Sequence, residues 1–454
     1  MRIFVFAMHQ RTDNYTYLTQ APVRRVILTM GAPTIVSMLV TSLYNMADTY
    51  FVGKINTQAT AAVGVTFAAM SVVQAVAFLF GHGSGNYIAQ QLGARHRENA
   101  ARMAATGFGL SIMAGVLIAM AGLLFLTPLS LLLGSTATIL PYTERYLGIV
   151  LLGVPFMTGS LTLNNQMRFQ GNAARAMLGV LSGALLNIAL APLFIFSFEW
   201  GITGAAVATV VSQACGFGIL YRMSRTDGNI RVRLADFSPS WQLLREIFMG
   251  GMPSLLRQGL ACTAVIVLNV AAGAYGDAAI AGMSIVGRIS FFIYAVIIGL
   301  GQGFQPLCGF CYGARLYGRV REGFAFCVKA GTAFLVVCAV VCGFLAEDIV
   351  TLFRHDPEVV AVGAVAFRFQ LIAYPLLAFV GVSNQMLQTM RLSGRANLVA
   401  AARSGLFFIP LALTLPEFFG LLGVELIQAV SDVCAFILTL PIVTLTFRRM
   451  EEKA

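Results

Sequence analysis

Charge is scarce in this chain, and negative charge scarcer still. Asp, Glu, Lys and Arg together make up 11% of 454 residues, and only 19 of them are acids. Soluble domains carry about a quarter of their residues as charges, so a water-soluble globular chain is excluded. The longest polar stretch, residues 222–248, is too short to be a domain of its own. Histidine occurs four times, as His9, His82, His96 and His355, and cysteine eight times. Cys308-x-x-Cys311 is the one tight cysteine pair. Zinc or thiol redox chemistry would need a second ligand pair or a soluble redox fold. Neither is visible, and the cysteines are expected to pack helices against one another. No grouping of His, Asp, Glu and Cys supplies a nucleophile with its base, so no enzyme is expected.

What fills the chain is apolar: 58% of residues are hydrophobic and the mean hydropathy is +0.80. Apolar windows of about 20 residues, the length a bilayer core requires, recur near 28–50, 59–83, 101–125, 141–162, 176–198 and 202–221. Six more follow near 254–275, 279–304, 325–345, 360–386, 399–418 and 421–446. The halves also resemble each other. Gly31-Ala32-Pro33 returns as Gly251-Met252-Pro253, and Gly81-x-Gly83 with Gly93-Ala94-Arg95 returns as Gly301-x-Gly303 with Gly313-Ala314-Arg315, all displaced by 220 positions. Asn165-Gln166-Met167 matches Asn384-Gln385-Met386, and Gly201-x-x-Gly204 matches Gly420-x-x-Gly423, both displaced by 219.

An even number of spans per repeat gives both halves the same orientation, a plan that secondary transporters use with the substrate path between the repeats. The expected fold is therefore all-α and integral to the membrane, with twelve transmembrane helices in two pseudo-symmetric six-helix lobes. The expected boundaries are an N-terminal segment 1–25, a first lobe 26–221, a linker 222–248, a second lobe 249–447 and a tail 448–454. A short amphipathic helix ending near Glu246 is expected in the linker. The Gly-x-Gly elements follow no strand, so a nucleotide loop is not expected; close helix packing or local flexibility suits them better.

The formal charge of +11 does not point to nucleic acid, because the bases cluster in alternate loops. Arg24 and Arg25, Arg95 and Arg97, Arg168 and Arg175, and Arg222 to Arg245 fall on one side, followed by Arg315 to Arg321, Arg391 and Arg395, and Arg448 to Lys453. The opposite loops hold Glu199, Asp277, Glu347, Asp348, Asp356, Glu358 and Glu417. The positive-inside rule then places both termini in the cytoplasm. Met1–Met8 is too short for the apolar core of a cleavable signal.

An ionisable group within a span costs about 2.5–3.5 kcal/mol on insertion scales and marks a functional site by default. Asp48 is the clear first-half case, about 35 Å along the helix from Arg25 at 1.5 Å per residue. Thr41, Tyr44 and Asp48 share one helix face. Asn187 lies about 18 Å beyond Arg175 and Thr209 about 12 Å from Gly201, so helices one, five and six are expected to converge on one pocket. Pro192 is expected to free a backbone carbonyl there.

At these residues the chain resembles the multidrug and toxic compound extrusion (MATE) transporters. Tyr44-Asn45-Met46-Ala47-Asp48-Thr49-Tyr50-Phe51-Val52-Gly53 is similar to the family's first-helix signature. Gly201-Ile202-Thr203-Gly204-Ala205-Ala206-Val207-Ala208-Thr209 and Gly299-Leu300-Gly301-Gln302-Gly303-Phe304-Gln305-Pro306, leading to Tyr312-Gly313-Ala314, support it. The resemblance spans residues 20–447 and is nearest the MepA-like group of the DinF branch. It implies two lobes in a V, a cavity alternately open to each side, and efflux of amphipathic cationic small molecules from the bacterial plasma membrane in exchange for H+ or Na+. Carried over, the coupling site falls on Asp48, Asn187 and Thr209 with Tyr44, and Asn164 matches a further cavity position; a single chain is expected to suffice. Relatives commonly carry a second carboxylate at the position of Ala191. With one acid left, a proton suits the site better than sodium, which prefers several oxygens and compensating charge. The second lobe has no matching acid but carries Arg257, Arg288, Arg368 and Arg403 in or near its spans. Arg288 is expected to meet an anionic group or an internal carbonyl, and Arg368 and Arg403 to snorkel or bond helix carbonyls. Asp432 and Glu425 are expected in salt bridges within the lobe. These arginines keep a second substrate class open, a lipid-linked or other anionic amphiphile moved by the same scaffold.

Overall fold

In the computed structural model, residues 14–226 and 228–452 are described. The expected absence of a signal over Met1–Met8 concerns residues outside that set, and His9 and Lys453 also lie outside it. Twelve helices are long and apolar enough to cross a membrane. In the first half they are α1 (Val23–Gly53), α2 (Thr57–Gly93), α3 (Arg97–Leu124), α4 (Leu140–Phe169), α5 (Ala173–Ser197) and α6 (Gly201–Ser224). In the second they are α7 (Trp241–Gly273), α8 (Asp277–Gly313), α9 (Tyr317–Phe344), α10 (Pro357–Thr389), α11 (Ser393–Phe419) and α12 (Leu421–Glu451). Each matches an expected window but outruns it, because helices continue through the polar flanks that hydropathy omits.

The linker is narrower than expected. Ser240 caps α7 by accepting from the Leu243 amide at 3.3 Å, and the helix runs unbroken to Gly273. The expected separate helix ending near Glu246 is the first turns of α7 itself. A 3-10 turn at Leu234–Asp236 is the regular element between α6 and α7. Pro192 has no N–H to return to residue 188, and α5 widens after it into a π turn, Leu193–Ser197.

The repeat is exact in packing where letters alone misplace it. Asn164 Nδ2 donates to the Ala176 carbonyl at 2.9 Å, and Asn384 Nδ2 to the Ala396 carbonyl at 2.8 Å. Asn384 is thus the partner of Asn164 at a displacement of 220, not of Asn165 at 219. Adjacent asparagines at 164 and 165 allowed the wrong register.

The lobes meet through the duplicated glycines. A Cβ on Gly93 would stand 2.2 Å from the Phe310 carbonyl oxygen, and one on Gly313 would stand 2.1 Å from that of Gln90; both residues and both oxygens are 220 positions apart. Here α2 and α8 cross at the pseudo-twofold axis. Beside them α1 lies on α8, with Gly303 against Gly31, and α7 lies on α2, with Gly251 against Leu79 and Gly83 against Ile247. The Gly-x-Gly elements therefore serve close backbone approach, which small residues permit in lipid. All these contacts lie towards the helix ends that share the side of the chain termini. Towards the other side the close approaches stop: a Cβ on Gly53, Gly64, Gly259 or Gly287 would meet nothing within 4 Å, Met46, Tyr50, Val270 and Phe291 are exposed, and the space between the lobes there is a cleft. The short helix Asn14–Gln20 crosses the closed face: Asn14 donates to the Gln170 carbonyl, and Arg319 of the second lobe donates to the carbonyls of Leu18 and Ala21.

Because the obstruction at Gly303 is the backbone of Gly31, 2.4 Å away, Gly303→Val must part the seam. In a chain keeping only the buried Cys308 and Cys311, maleimide labelling is expected to accelerate at least tenfold in this variant. Unchanged labelling would show that the seam absorbs the methyls.

Candidate functional site

Asp48 is buried on α1, 9% exposed, and its Oδ1 is enclosed without a hydrogen-bond partner among the described residues. Burying a polar atom unpaired costs about 1–3 kcal/mol, a cost that a folding role does not explain. Helices α5 and α6 bring Asn187 and Thr209 beside it, as the sequence anticipates. Asn187 Nδ2 donates to Thr209 Oγ1 at 3.3 Å, and Thr209 Oγ1 donates to the Ala205 carbonyl at 3.0 Å. Both residues are buried, at 2% and 5% exposed. The Tyr44 hydroxyl reaches Thr209 and lies within the field of Asp48.

One member of the site was missed. Tyr146 on α4, 5% exposed, interacts through its hydroxyl with both Asp48 and Thr209. It packs in one apolar cluster with the fully buried Ala191, the position where the family resemblance implies a second carboxylate. A phenol from α4 thus stands over the methyl of α5. Its only sequence signal was a hydroxyl-bearing aromatic in an apolar span, which many of the 13 tyrosines share. The result is one carboxylate among two phenols, a hydroxyl and an amide. No group of three or more His, Cys, Asp or Glu side chains able to hold a metal is present among the described residues.

Other expected members stand apart. Thr41 bonds back to the Ser37 carbonyl at 2.8 Å, and Asn164 is engaged with Ala176. Arg288 is exposed on α8, about three turns before Gly299 and on the same helix face. That face looks across the cleft, and no partner holds Arg288 among the described residues. Two arginines depart from expectation. Arg403 neither snorkels nor bonds a carbonyl through its guanidinium: Nε donates to Asp432 Oδ1 at 2.8 Å, with Gln428 on the same oxygen at 2.9 Å. The carboxylate is 1% exposed, so the charge is neutralised where it lies. Arg168, counted above as a loop base, is buried in the last turn of α4 because the seam closes over it. It donates to the Gln302 carbonyl at 2.8 Å and to Gln305 Oε1 at 2.9 Å across the lobe boundary. Arg368 keeps to expectation in part, bonding the Gly343 carbonyl and also Glu347.

The ion pair of the second lobe and the Asp48 site should respond differently to substitution. Asp432→Asn leaves Arg403 uncompensated and is expected to cost about 3 kcal/mol of stability, read as a lower thermal midpoint in detergent. Tyr146→Phe removes one hydrogen bond of about 1 kcal/mol and is expected to slow transport about fivefold with the midpoint nearly unchanged; full activity would remove Tyr146 from the site.

Comparison with known proteins agrees with this architecture. The MatE family model matches twice, over residues 33–193 and 253–414, one match to each lobe. The multidrug export protein MepA of Staphylococcus haemolyticus (strain JCSC1435) is 27% identical over 98% of both chains. MepA of Staphylococcus aureus (strain MSSA476) is 27% identical over 91% of this chain and 92% of its own. Among solved structures, the outward-facing conformation of a multidrug resistance MATE family transporter of the MOP superfamily superposes with a TM-score of 0.90 at 25% identity, covering 98% of this chain and all of that one. A MATE structure in the bent conformation gives 0.92 at 24% identity over 98% and 99% of the two chains. Two matched halves, twelve spans and whole-chain likeness in sequence and structure lead to one assignment: the chain is a multi-pass membrane transporter that belongs to the MatE family.

Proposed function

We propose that this transporter exports amphipathic organic cations by antiport, with proton entry at Asp48 driving the cycle. The observation that carries the reading is the enclosed, unpartnered Oδ1 of Asp48 in a site with no second carboxylate. A lone desolvated carboxyl exchanges a proton for a cationic substrate because either neutralises it. Sodium would instead have to be held by one carboxylate and neutral oxygens, a thin shell for a hard cation. The names of the MepA relatives and of the multidrug resistance neighbour support export as the direction.

With the termini cytoplasmic by the positive-inside rule, the glycine seam closes the inner side and the cleft opens outward. In that state the Asp48 site receives a proton from outside and releases substrate. Parting of the seam then presents the cleft to the cytoplasm of a bacterial cell. The abundant apolar side chains, including 34 Phe and 19 Met, supply adaptable contacts for varied aromatic cations. A monomer contains the whole cycle.

In proteoliposomes, an imposed pH gradient is expected to drive accumulation of a fluorescent organic cation, and a sodium gradient alone is not. Asp48→Asn should abolish the pH-driven component. Undiminished pH-driven transport in Asp48→Asn would overturn the assignment, and transport driven by sodium alone would replace the proton with sodium.

A further inference from the structure

Where the seam ends and the cleft begins, two arginines gather without a counter-ion beside a buried histidine whose Nε2 accepts from one of them. Arg168 is 3% exposed and His82 1% exposed, with Arg168 Nη2 3.3 Å from His82 Nε2. Arg257 on α7 acts electrostatically on both. Its bonds go to neutral oxygens, Asn384 Oδ1 at 3.0 Å and Ser254 Oγ at 3.5 Å. No carboxylate acts on Arg168 or Arg257 among the described residues. Arg403, deeper in the second lobe, has its Asp432; these two have nothing comparable.

The cluster also breaks the repeat. At a displacement of 220, His82 faces Gln302, Arg168 faces Gln388, and Arg257 replaces a serine, Ser37. The neutral partners show that the scaffold closes without charge at these positions. Gln388 bonds within its own lobe instead, donating to the Gly250 carbonyl at 2.9 Å. Packing therefore does not require the charges, and two like charges held together in low dielectric oppose burial.

Access separates the two arginines. The donors of Arg168 are spent across the lobe boundary on Gln302, Gln305 and Asn165. Arg257 is partly exposed and stands about 9 Å beyond Gly251, where α7 lies against Leu79 of α2. A guanidinium has five N–H donors, and bonds from Nη1 and Nη2 to neutral oxygens leave three of them for an anion.

We infer that Arg257, in the field of Arg168, binds the carboxylate of amphiphilic substrates at the base of the cleft. The inference rests on the export reading and deepens it: the substrate class includes zwitterionic amphiphiles whose cationic centre answers to Asp48 and whose carboxylate answers to Arg257. Arg288, higher on the cleft wall, lies on the route out.

The test is binding of a matched pair, an aromatic amine carrying a carboxylate and its methyl ester, to purified protein in nanodiscs. Wild type is expected to prefer the acid, and Arg257→Gln to weaken the acid about tenfold or more, as loss of one charge-assisted contact implies, with the ester unchanged. Arg257→Lys should recover part of the loss. Arg368→Gln, whose guanidinium already pairs with Glu347, should alter neither ligand. Equal weakening of acid and ester, an unchanged acid, or no preference in wild type would overturn the inference. Efflux of a cation lacking any carboxylate is independent of this result, so failure here leaves the export reading standing, and failure of that efflux is seen separately.

Discussion

Where α2 and α8 cross, backbone meets backbone with no room for a single methyl group between them. Gly93 against Phe310 and Gly313 against Gln90 make the same contact twice, once from each lobe. The flanking pairs, α1 on α8 and α7 on α2, depend on the same economy of volume. Lipid offers little hydrophobic drive for helices to associate, so shape complementarity between small residues has to hold the lobes together. A seam of that kind closes one side completely and leaves the other free. The cleft, the shielding of Arg168 and the position of Arg257 all follow from where it ends.

Duplication supplied the scaffold twice, but the polar chemistry did not follow it. At a displacement of 220 from Asp48 stands Leu268, and Tyr44 is answered by Ala264. The second lobe buries two acids: Asp432, already neutralised by Arg403, and Glu425, 5% exposed, which against expectation has no salt bridge among the described residues. The first lobe keeps a carboxylate without a cation, and the lobe boundary keeps cations without a carboxylate. Uncompensated charges of opposite sign thus occupy different levels of one cleft, which is the arrangement a transporter of amphiphiles can use.

Much of the fold could be read from residue order alone. Twelve apolar windows and a recurring glycine pattern are strong, redundant signals, each spread over many positions, and the structure keeps all twelve. Asp48, Asn187 and Thr209 were legible because polar groups in apolar helices are rare and their depths agree. Tyr146 was not, since its role depends on α4 passing beside α1, a tertiary fact with no local trace. Arg168 was misread for a related reason. A base at a helix end looks like a loop residue until the partner lobe closes over it. The Asn164 and Asn384 pairing failed by one position because two adjacent asparagines make the alignment degenerate, and only the matched carbonyls of Ala176 and Ala396 resolve it.

The central claim is that a single first-lobe carboxyl exchanges a proton for the substrate's positive charge while Asp432 of the second lobe remains structural. Proton release on substrate binding tests it most directly, followed with a pH indicator in weakly buffered detergent solution. Addition of a permanently charged organic cation to wild type is expected to release protons in step with binding, and a variant at Asp432 that still folds should do the same. Asp48→Asn should release none. Proton release that persists in Asp48→Asn, or that is absent from wild type despite binding, would contradict the account.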